Sequence, residues 1–385
     1  MKAITTAICI IAGVSAMSAE KKEIYNFKGK IDGSKDSWEY LVAGSEKNSY
    51  VPSEGYYPNK GGKLVGPIVK VKDGEYKFFK LTFDAQNSGT SYWVVYFYDK
   101  ENKPIVADVY SSIYPAPGTQ KYEVMVYGRN GMSALQPLFQ SQGGVNVSDL
   151  NIEEVSPLQT AEWCDEIYKT LPPLSYDPPA DRLKLIPKSF EAMKSGKKWR
   201  VVMLGDSIIN DTFNSNFQAL VSRHYPKSDL EFICSVRGST GCWYYQDPEQ
   251  FKKYVTDLKP DLLIIGGISQ REQSEPVAKV IKMAKELGCE IMVMTGPMAP
   301  DWREYDESKP DAALPVQKWA GDPLNKEIRE VAEAANVEFL DMQTIWHNYL
   351  GSSRKPWHWF HRDKVHANDR GKQIIGRILA GYLNK

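Results

Sequence analysis

The chain has 385 residues, and its 48 Lys and Arg residues balance its 48 Asp and Glu residues, so the formal net charge is zero. This length predicts one to three domains. The balanced charge gives no electrostatic reason to expect nucleic acid or an anionic membrane surface as a partner. A hydrophobic content of 42% is ordinary for globular cores.

Aromatic residues are unusually frequent, with 22 Tyr and 10 Trp. Large cores and sheet faces are one interpretation of this composition. Sugar binding is the other, because a flat aromatic ring offers apolar area and, in Tyr and Trp, a polar tip.

The first 19 residues have the pattern of a signal peptide, with Lys2, an apolar stretch and small residues at the end. The apolar stretch is too short to span a bilayer, and no other stretch approaches that length. The sequence therefore predicts an exported protein, secreted or periplasmic, that is not a membrane protein.

Four cysteines remain after this segment, and they show no CxxC motif and no paired Cys/His spacing. We therefore expect no zinc site. Export permits disulfides, so one bridge and buried free thiols are both open. The four residues are Cys164, Cys234, Cys242 and Cys289.

Residues 20–155 contain short runs of alternating or β-branched and aromatic residues, separated by turn sequences such as "VKDGEY" and "PAPGTQ". This pattern predicts a β-sandwich of the jelly-roll type. Two roles are open for it: a carbohydrate-binding module, or a structural domain that shields or completes an active-site cleft.

Residues 156–196 are rich in Pro and predict an ordered connector with one short helix.

Residues 197–385 alternate short apolar runs with helical patterns, which predicts a three-layer α/β domain with a parallel sheet. One predicted helix places Val277, Val280, Ile281, Ala284 and Leu287 on one face. In open sheets of this kind, ligands bind beyond the carboxyl ends of the strands. The residues that follow each strand must therefore be considered together.

Those strand ends carry the parts that acyl transfer needs. Ser207 follows the first strand in "GDS", and Asp363 and His366 stand three residues apart before the last helix. A serine hydroxyl becomes a nucleophile when an adjacent base removes its proton. His366 is the candidate base, with Asp363 to orient it. The Ser207 amide and a glycine amide after the second strand are candidate donors to the oxyanion.

These motifs resemble the SGNH (GDSL-type) hydrolases over residues 199–385. The resemblance implies a flavodoxin-like α/β/α fold and esterase activity, which in many members removes acyl groups from polysaccharides. Carried over by position, Ser207 matches the nucleophile, Asp363 the orienting acid and His366 the base. Gly241 matches the oxyanion glycine of the second block, with Gly238 as the weaker alternative.

The third block departs from the family pattern. An asparagine normally follows this strand and donates to the oxyanion, but here the sequence is "GGISQ". Counting from the glycine places Ser269 at that position, whereas counting by strand length places Gln270 there. Gln270 is favoured because it carries the same amide donor.

Several of these residues have alternative interpretations. Ser207 can be read as a helix cap, and His366 as a surface histidine. Arg237 and Arg271 follow strands two and three and are candidates for holding an anionic substrate group, although a local ion pair explains them too. Aromatic residues on both sides of the predicted site are candidates for stacking on sugar rings: Trp243 and Tyr244 after Gly241, and Trp357 and Trp359 before Asp363.

The sequence therefore predicts an exported serine esterase that removes O-acetyl or similar short acyl groups from a polysaccharide or oligosaccharide, without a metal or organic cofactor. Two alternatives remain: a lipid or aryl esterase on the same fold, and a non-catalytic glycan-binding protein with a degenerate third block.

Overall fold

The computed structural model describes residues 22–28, 30–31, 39–41, 62–71, 77–87, 91–113, 118–141, 145–267, 273–297, 323–363 and 365–385. The predicted signal peptide at 1–19 lies outside them. Elements are numbered in chain order.

The N-terminal part of the described chain forms two antiparallel sheets. One has the order β1-β11-β6-β9, with β2 beside β11, and the other has the order β3-β4-β10-β7-β8, with β5 beside β10. The strands are β1 Lys22–Asn26, β2 Lys30–Ile31, β3 Glu39–Leu41, β4 Gly62–Val65, β5 Val69–Lys70, β6 Phe78–Asn87, β7 Ser91–Tyr98, β8 Pro104–Ile113, β9 Gln120–Tyr127, β10 Ala134–Ser141 and β11 Val145–Glu154.

Alternate residues of these strands meet between the two sheets. On β7, Trp93, Val95 and Phe97 are buried in the core of the sandwich, while the residues between them face the other way. This is the period of two that a strand imposes on its side chains. The sequence-predicted β-sandwich is therefore present, and Phe83 packs against both Trp93 and Phe139 at its centre.

The Pro-rich connector contains two helices, α1 Pro157–Lys169 and α2 Pro187–Ser195, so the prediction of one short helix missed α2. Ser156 and Gln159 form a capping box at the start of α1. Two glutamates, each the first residue of a strand in the parallel sheet, accept hydrogen bonds from backbone amides of the connector. Glu338 accepts hydrogen bonds from the Leu183 and Leu185 amides at 2.7 and 3.0 Å, and Glu290 accepts from the first turn of α2.

The C-terminal part contains a parallel five-stranded sheet in the order β13-β12-β14-β15-β16. Renumbered within this sheet, the order is 2-1-3-4-5, as in flavodoxin-like folds. This confirms the predicted fold class. The strands are β12 Lys198–Gly205, β13 Asp229–Val236, β14 Leu262–Ile265, β15 Glu290–Met294 and β16 Glu338–Leu340.

Helices cover both faces of this sheet. Val201 and Met203 of β12 face a core shared with α1, α3, α4, α9 and α10, while Val202 and Leu204 face α5–α8. The remaining helices are α3 Ser207–Phe213, α4 Phe217–His224, α5 Cys242–Tyr245, α6 Pro248–Tyr254, α7 Glu275–Glu286, α8 Pro323–Ala334, α9 Met342–Ser353 and α10 Asp369–Leu383, with short 3-10 turns at Thr256–Leu258 and Trp357–Trp359.

One residue of the predicted α7 face was placed wrongly. Val277, Val280, Ile281 and Ala284 are buried, but Leu287 is 41% exposed. Leu287 is the C-cap after the last helical residue, Glu286, and Gly288 follows it with φ of +75°, so Leu287 lies at the exposed end of α7.

The sandwich and the α/β domain share one core. Tyr127, at the end of β9, packs its ring against Phe213 of α3 and Phe232 of β13, with centroids 5.6 and 6.4 Å apart. Asn216 donates to the Met125 carbonyl of β9 at 3.1 Å. The contact is therefore a packed interface of the kind found inside domains.

All four cysteines of the described chain are free thiols, so of the two open interpretations the structure favours free thiols. Burial raises the pKa of Cys164 and Cys234 to about 12 and that of Cys289 to about 11. Thiols in such surroundings are inert. Within the described ranges, no helix has both the length and the apolar character needed to cross a bilayer.

Candidate active site

Ser207 is the first residue of α3, and only Asp206 separates it from the end of β12. The cap of this helix is its neighbour Asp206, whose fully buried carboxyl accepts from the Ile208 amide at 2.9 Å. The Ser207 amide has no acceptor inside the helix, because the first turn of a helix leaves its amides unpaired. The capping role considered for Ser207 therefore falls to Asp206.

Glycines make room for this turn. A Cβ on Gly205 would lie 2.6 Å from the Gly266 carbonyl oxygen, and one on Gly266 would collide with Ile209 of α3. Gly267 has φ of +103°, and a Cβ there would lie 2.5 Å from the Asp206 carboxyl. The two glycines of "GGISQ" thus hold the turn that presents Ser207.

His366 lies against Ser207, although the two residues are 159 positions apart. Its Nε2 atom is 2.8 Å from Ser207 Oγ. Its Nδ1 atom is 2.9 and 2.8 Å from the two carboxylate oxygens of Asp363. Asp363 Oδ1 also accepts from the Val365 and His366 amides, at 2.9 and 2.8 Å. The structure therefore brings Ser207, His366 and Asp363 into one hydrogen-bonded chain.

The charge state of Asp363 determines which atoms donate and which accept in the hydrogen bonds between Ser207, His366 and Asp363. Burial acts to raise the pKa of Asp363, but the hydrogen bond and charge of His366 and the nearby Arg362 outweigh it and hold the pKa well below its usual range. An ionised carboxylate only accepts, so Nδ1 of His366 donates to Asp363. In the neutral ring Nε2 is then an acceptor for the Ser207 hydroxyl, as a general base requires.

The second block lies at the same edge of the sheet. Gly241 precedes α5 in an extended conformation, with φ of −129°. Tyr245 at the end of α5 donates its buried hydroxyl to the Gly205 carbonyl at 2.7 Å, which ties this segment to the Ser207 turn. Gly238, the weaker oxyanion candidate, accepts at its carbonyl from the Thr240 hydroxyl.

The third block is the part of the site that the structure leaves undescribed. Ser269, Gln270 and Arg271 fall in 268–272, outside the described residues. The assignment of Gln270 or Ser269 to the oxyanion therefore stays a prediction, as does the role of Arg271.

Residues 203–374 match the sequence model of the GDSL-like lipase/acylhydrolase family. The match covers one domain and less than half of the chain. The resemblance inferred from the "GDS" and D-x-x-H motifs is thereby confirmed for these residues.

Solved structures similar to this chain include a two-domain esterase active on acetylated mannans, at 13% identity and a TM-score of 0.42, which covers 52% of this chain and 53% of that one. Another is a catalytic mutant of an acetylxylan esterase from Geobacillus stearothermophilus, at 16% identity and a TM-score of 0.38, covering 50% and 97%. The chain thus spans about half the length of the first of them. No curated protein sequence matches the chain.

The predicted aromatic residues of the acylhydrolase domain have different surroundings. Trp243 is half-buried with its ring edge-on to Tyr244, and the Tyr244 hydroxyl donates to Gln250 at 2.6 Å. Arg237 lies over the Tyr244 ring, 4.7 Å from its centroid. The side chains of Lys355 and Arg370 lie over the ring of Trp359. The Trp357 side chain is outside the described part of the structure.

Several residues that sequence reasoning missed surround the triad. Asp211 of α3 and Arg362 form a buried ion pair beside it. From the sandwich, Asp108 is buried near both. Burial raises the pKa of Tyr92 on β7, and the charges of Arg362 and Asp363 also act on it. The sequence does indicate that Asp211 lies near Ser207, because residues four positions apart share one face of a helix.

Proposed function

We propose that this chain is a serine esterase that removes short acyl groups, O-acetyl above all, from a polysaccharide or oligosaccharide. The observation that carries the proposal is the 2.8 Å contact between Ser207 Oγ and His366 Nε2, with Asp363 on the other ring nitrogen. The match of residues 203–374 to the model of an acylhydrolase family supports the reaction class.

The proposed reaction has two stages. Ser207 Oγ attacks the ester carbonyl while its proton passes to His366 Nε2, and the resulting imidazolium is stabilised by Asp363. The Ser207 and Gly241 amides, with Gln270 as the candidate third donor, stabilise the oxyanion. His366 then gives its proton to the leaving sugar oxygen. A water that His366 deprotonates attacks the acyl-enzyme. The bond to Ser207 Oγ then breaks as Oγ takes the proton back from His366, and the carboxylic acid leaves.

The proposal of a glycan substrate is supported by the position of Trp243. It follows Gly241 directly, and the segment that carries it is bound to the Ser207 turn through Tyr245. A half-buried indole in this segment would offer an apolar face to the C–H side of a sugar ring.

The deciding experiment compares the wild type with Ser207→Ala on aryl esters from acetate to octanoate, and then on an acetylated polysaccharide with acetate release as readout. We expect the wild type to prefer acetate and to release acetate from the polysaccharide, with neither activity in Ser207→Ala. Equal rates in both proteins would refute the serine mechanism. A preference for octanoate would favour a lipid or aryl esterase, and glycan binding without hydrolysis would favour a non-catalytic protein.

A further inference from the structure

The short helix α3 is held from two sides. On the sandwich side, the Asn210 and Asn214 side chains both donate to the Asp108 carbonyl of β8, at 2.9 and 3.1 Å. Arg129, which follows β9, donates to Asn214 Oδ1 at 2.6 Å. Its guanidinium lies between the rings of Phe97 and Phe213, 4.7 and 4.8 Å from their centroids. The helix that begins with Ser207 is therefore fixed to the N-terminal domain.

On the other side, α3 is bound to the segment that carries the rest of the triad. Residues 361–363 and 365–367, which we call the His366 hairpin, are closed by a bridge between His361 and Ala367. The Arg362 amide donates to the His366 carbonyl at 2.9 Å. Arg362 and Ala367 lie at the base of this hairpin, so their positions determine those of Asp363 and His366.

Asp211 of α3 holds both of those residues. Arg362 Nη1 donates to the two Asp211 carboxylate oxygens at 2.9 and 3.0 Å and to the Ala367 carbonyl at 2.6 Å. The Ala367 amide donates to Asp211 Oδ2 at 3.1 Å. The side chains of Arg362 and Asp211 are only 8% and 2% exposed, so solvent screens this contact weakly.

The sequence positions of the pair explain why it matters for the triad. Asp211 is one helical turn after Ser207, and Arg362 is the residue before Asp363. The pair therefore joins the helix that presents the nucleophile directly to the hairpin that presents the base. A buried ion pair contributes little net stability because desolvation offsets its attraction. It does restrict geometry, since few arrangements satisfy both charges.

We propose that the buried Asp211–Arg362 pair is the positioning device that sets the distance between Ser207 Oγ and His366 Nε2. Neither residue touches the reacting atoms in this role. Arg362 acts through the His366 hairpin, and Asp211 acts through α3, which the sandwich holds from its other side. This inference rests on the proposed esterase function, in which that distance governs proton transfer from Ser207.

The test compares Arg362→Gln with Arg377→Gln in the full chain. Arg377 is the control, because it donates to Asp165 at 2.7 Å in an Arg–Asp contact that is more exposed and does not involve the hairpin. The readouts are kcat and KM on an aryl acetate, the Tm, and the downfield proton resonance of His366 Nδ1, assigned by its loss in His366→Ala.

We expect Arg362→Gln to lower kcat ~10²-fold with little change in KM, because a displacement of about 1 Å is enough for such a loss. The His366 resonance should shift or disappear. Arg377→Gln should keep both kcat and the resonance, even at an equal loss of Tm. Arg362→Lys should recover part of kcat, since the three hydrogen bonds that join the Arg362 side chain to Asp211 and Ala367 come from one nitrogen that an ammonium can replace.

Arg362→Gln removes the positive charge that compensates the buried Asp211 carboxylate, which destabilises the folded state. The double variant Asp211→Asn with Arg362→Gln removes both charges and should fold while still losing kcat. Wild-type kcat in that folded variant, or an unchanged His366 resonance in Arg362→Gln, would overturn the inference. If the wild type hydrolyses no ester, the proposed function fails, but the resonance still decides whether the pair positions His366.

Discussion

His366 Nε2 lies 2.8 Å from Ser207 Oγ, and the two residues come from opposite ends of the α/β domain. Ser207 begins the first helix after β12, and His366 precedes the last helix, α10. The contact exists because both segments lie beyond the carboxyl ends of the parallel strands. Single substitutions can therefore test what each residue around this contact contributes to activity or stability.

Replacing Asp363 with Asn should lower kcat about 10²- to 10⁴-fold, because an amide no longer selects the ring tautomer that leaves Nε2 as an acceptor. The check is kcat on an aryl acetate. Asp247→Asn is the control: Asp247 also accepts from two backbone amides, at the start of α6, and its loss should leave kcat unchanged. Equal losses in both variants would contradict an orienting role for Asp363.

Gly267→Ala should destabilise the protein by about 1–3 kcal/mol and lower kcat. The added Cβ would enter the space of the Asp206 carboxyl, which caps α3 and cannot move without giving up the Ile208 amide. Gly288→Ala is the matched control, since Gly288 has φ of +75° but nothing within 4 Å of the new Cβ. That variant should lose only about 1 kcal/mol and keep full activity. Chemical denaturation and kcat together separate the two effects.

The stability of the protein should depend on pH through Asp108. Burial raises the pKa of this carboxyl to about 6, against the opposing influence of Arg129 and Arg362. In the unfolded chain the carboxyl ionises near its ordinary value of 3.8. Between these values the folded state binds more protons than the unfolded state, so its contribution to stability falls as pH rises from about 4 to above 6.

Asp108→Asn removes this dependence and should be more stable than the wild type near neutral pH, by at most about 3 kcal/mol. The difference in Tm between the two proteins should shrink towards pH 4. Ser207→Ala, which removes no carboxyl, should follow the wild type across the same pH series. A constant difference for Asp108→Asn would show that Asp108 ionises normally in the folded state.

Trp243→Ala should raise KM for an acetylated oligosaccharide roughly fivefold to tenfold and leave the rate on an aryl acetate almost unchanged. The reason is that stacking on the sugar acts on the part of the substrate that an aryl ester lacks. Steady-state kinetics on both substrates tests this with the aryl ester as internal control. A parallel loss on both would mean that the indole supports the site and does not bind sugar.

The Cys164 and Cys234 thiols should be unreactive in the folded protein. A reductant should leave the Tm unchanged, because there is no disulfide among the described cysteines. A thiol reagent should label Cys164 and Cys234 only after unfolding, since their pKa values near 12 keep them protonated. Mass spectrometry of native and denatured samples gives the count, and rapid native labelling of both would contradict their burial.

The amino-acid sequence by itself determined the fold class and pointed to the residues of the triad. Apolar runs such as "RVVMLG" and the helical repeat of α10 carry their period locally, so they reveal strand and helix without knowledge of their partners. Alternation of strands and helices then implies a parallel sheet, and its carboxyl edge collects Ser207, Asp363 and His366.

Only the tertiary structure decided how those residues are held. The Asp211–Arg362 pair joins positions 151 residues apart, and the Asp108 carbonyl accepts from a helix 102 residues away. Polar side chains have no sequence period that encodes a distant partner, because their pairing depends on which surfaces the fold buries together. The role of the sandwich was open for the same reason. Its β8 strand accepts hydrogen bonds from the Asn210 and Asn214 side chains at one backbone oxygen, that of Asp108, and every residue carries such an oxygen, so no sequence pattern distinguishes it.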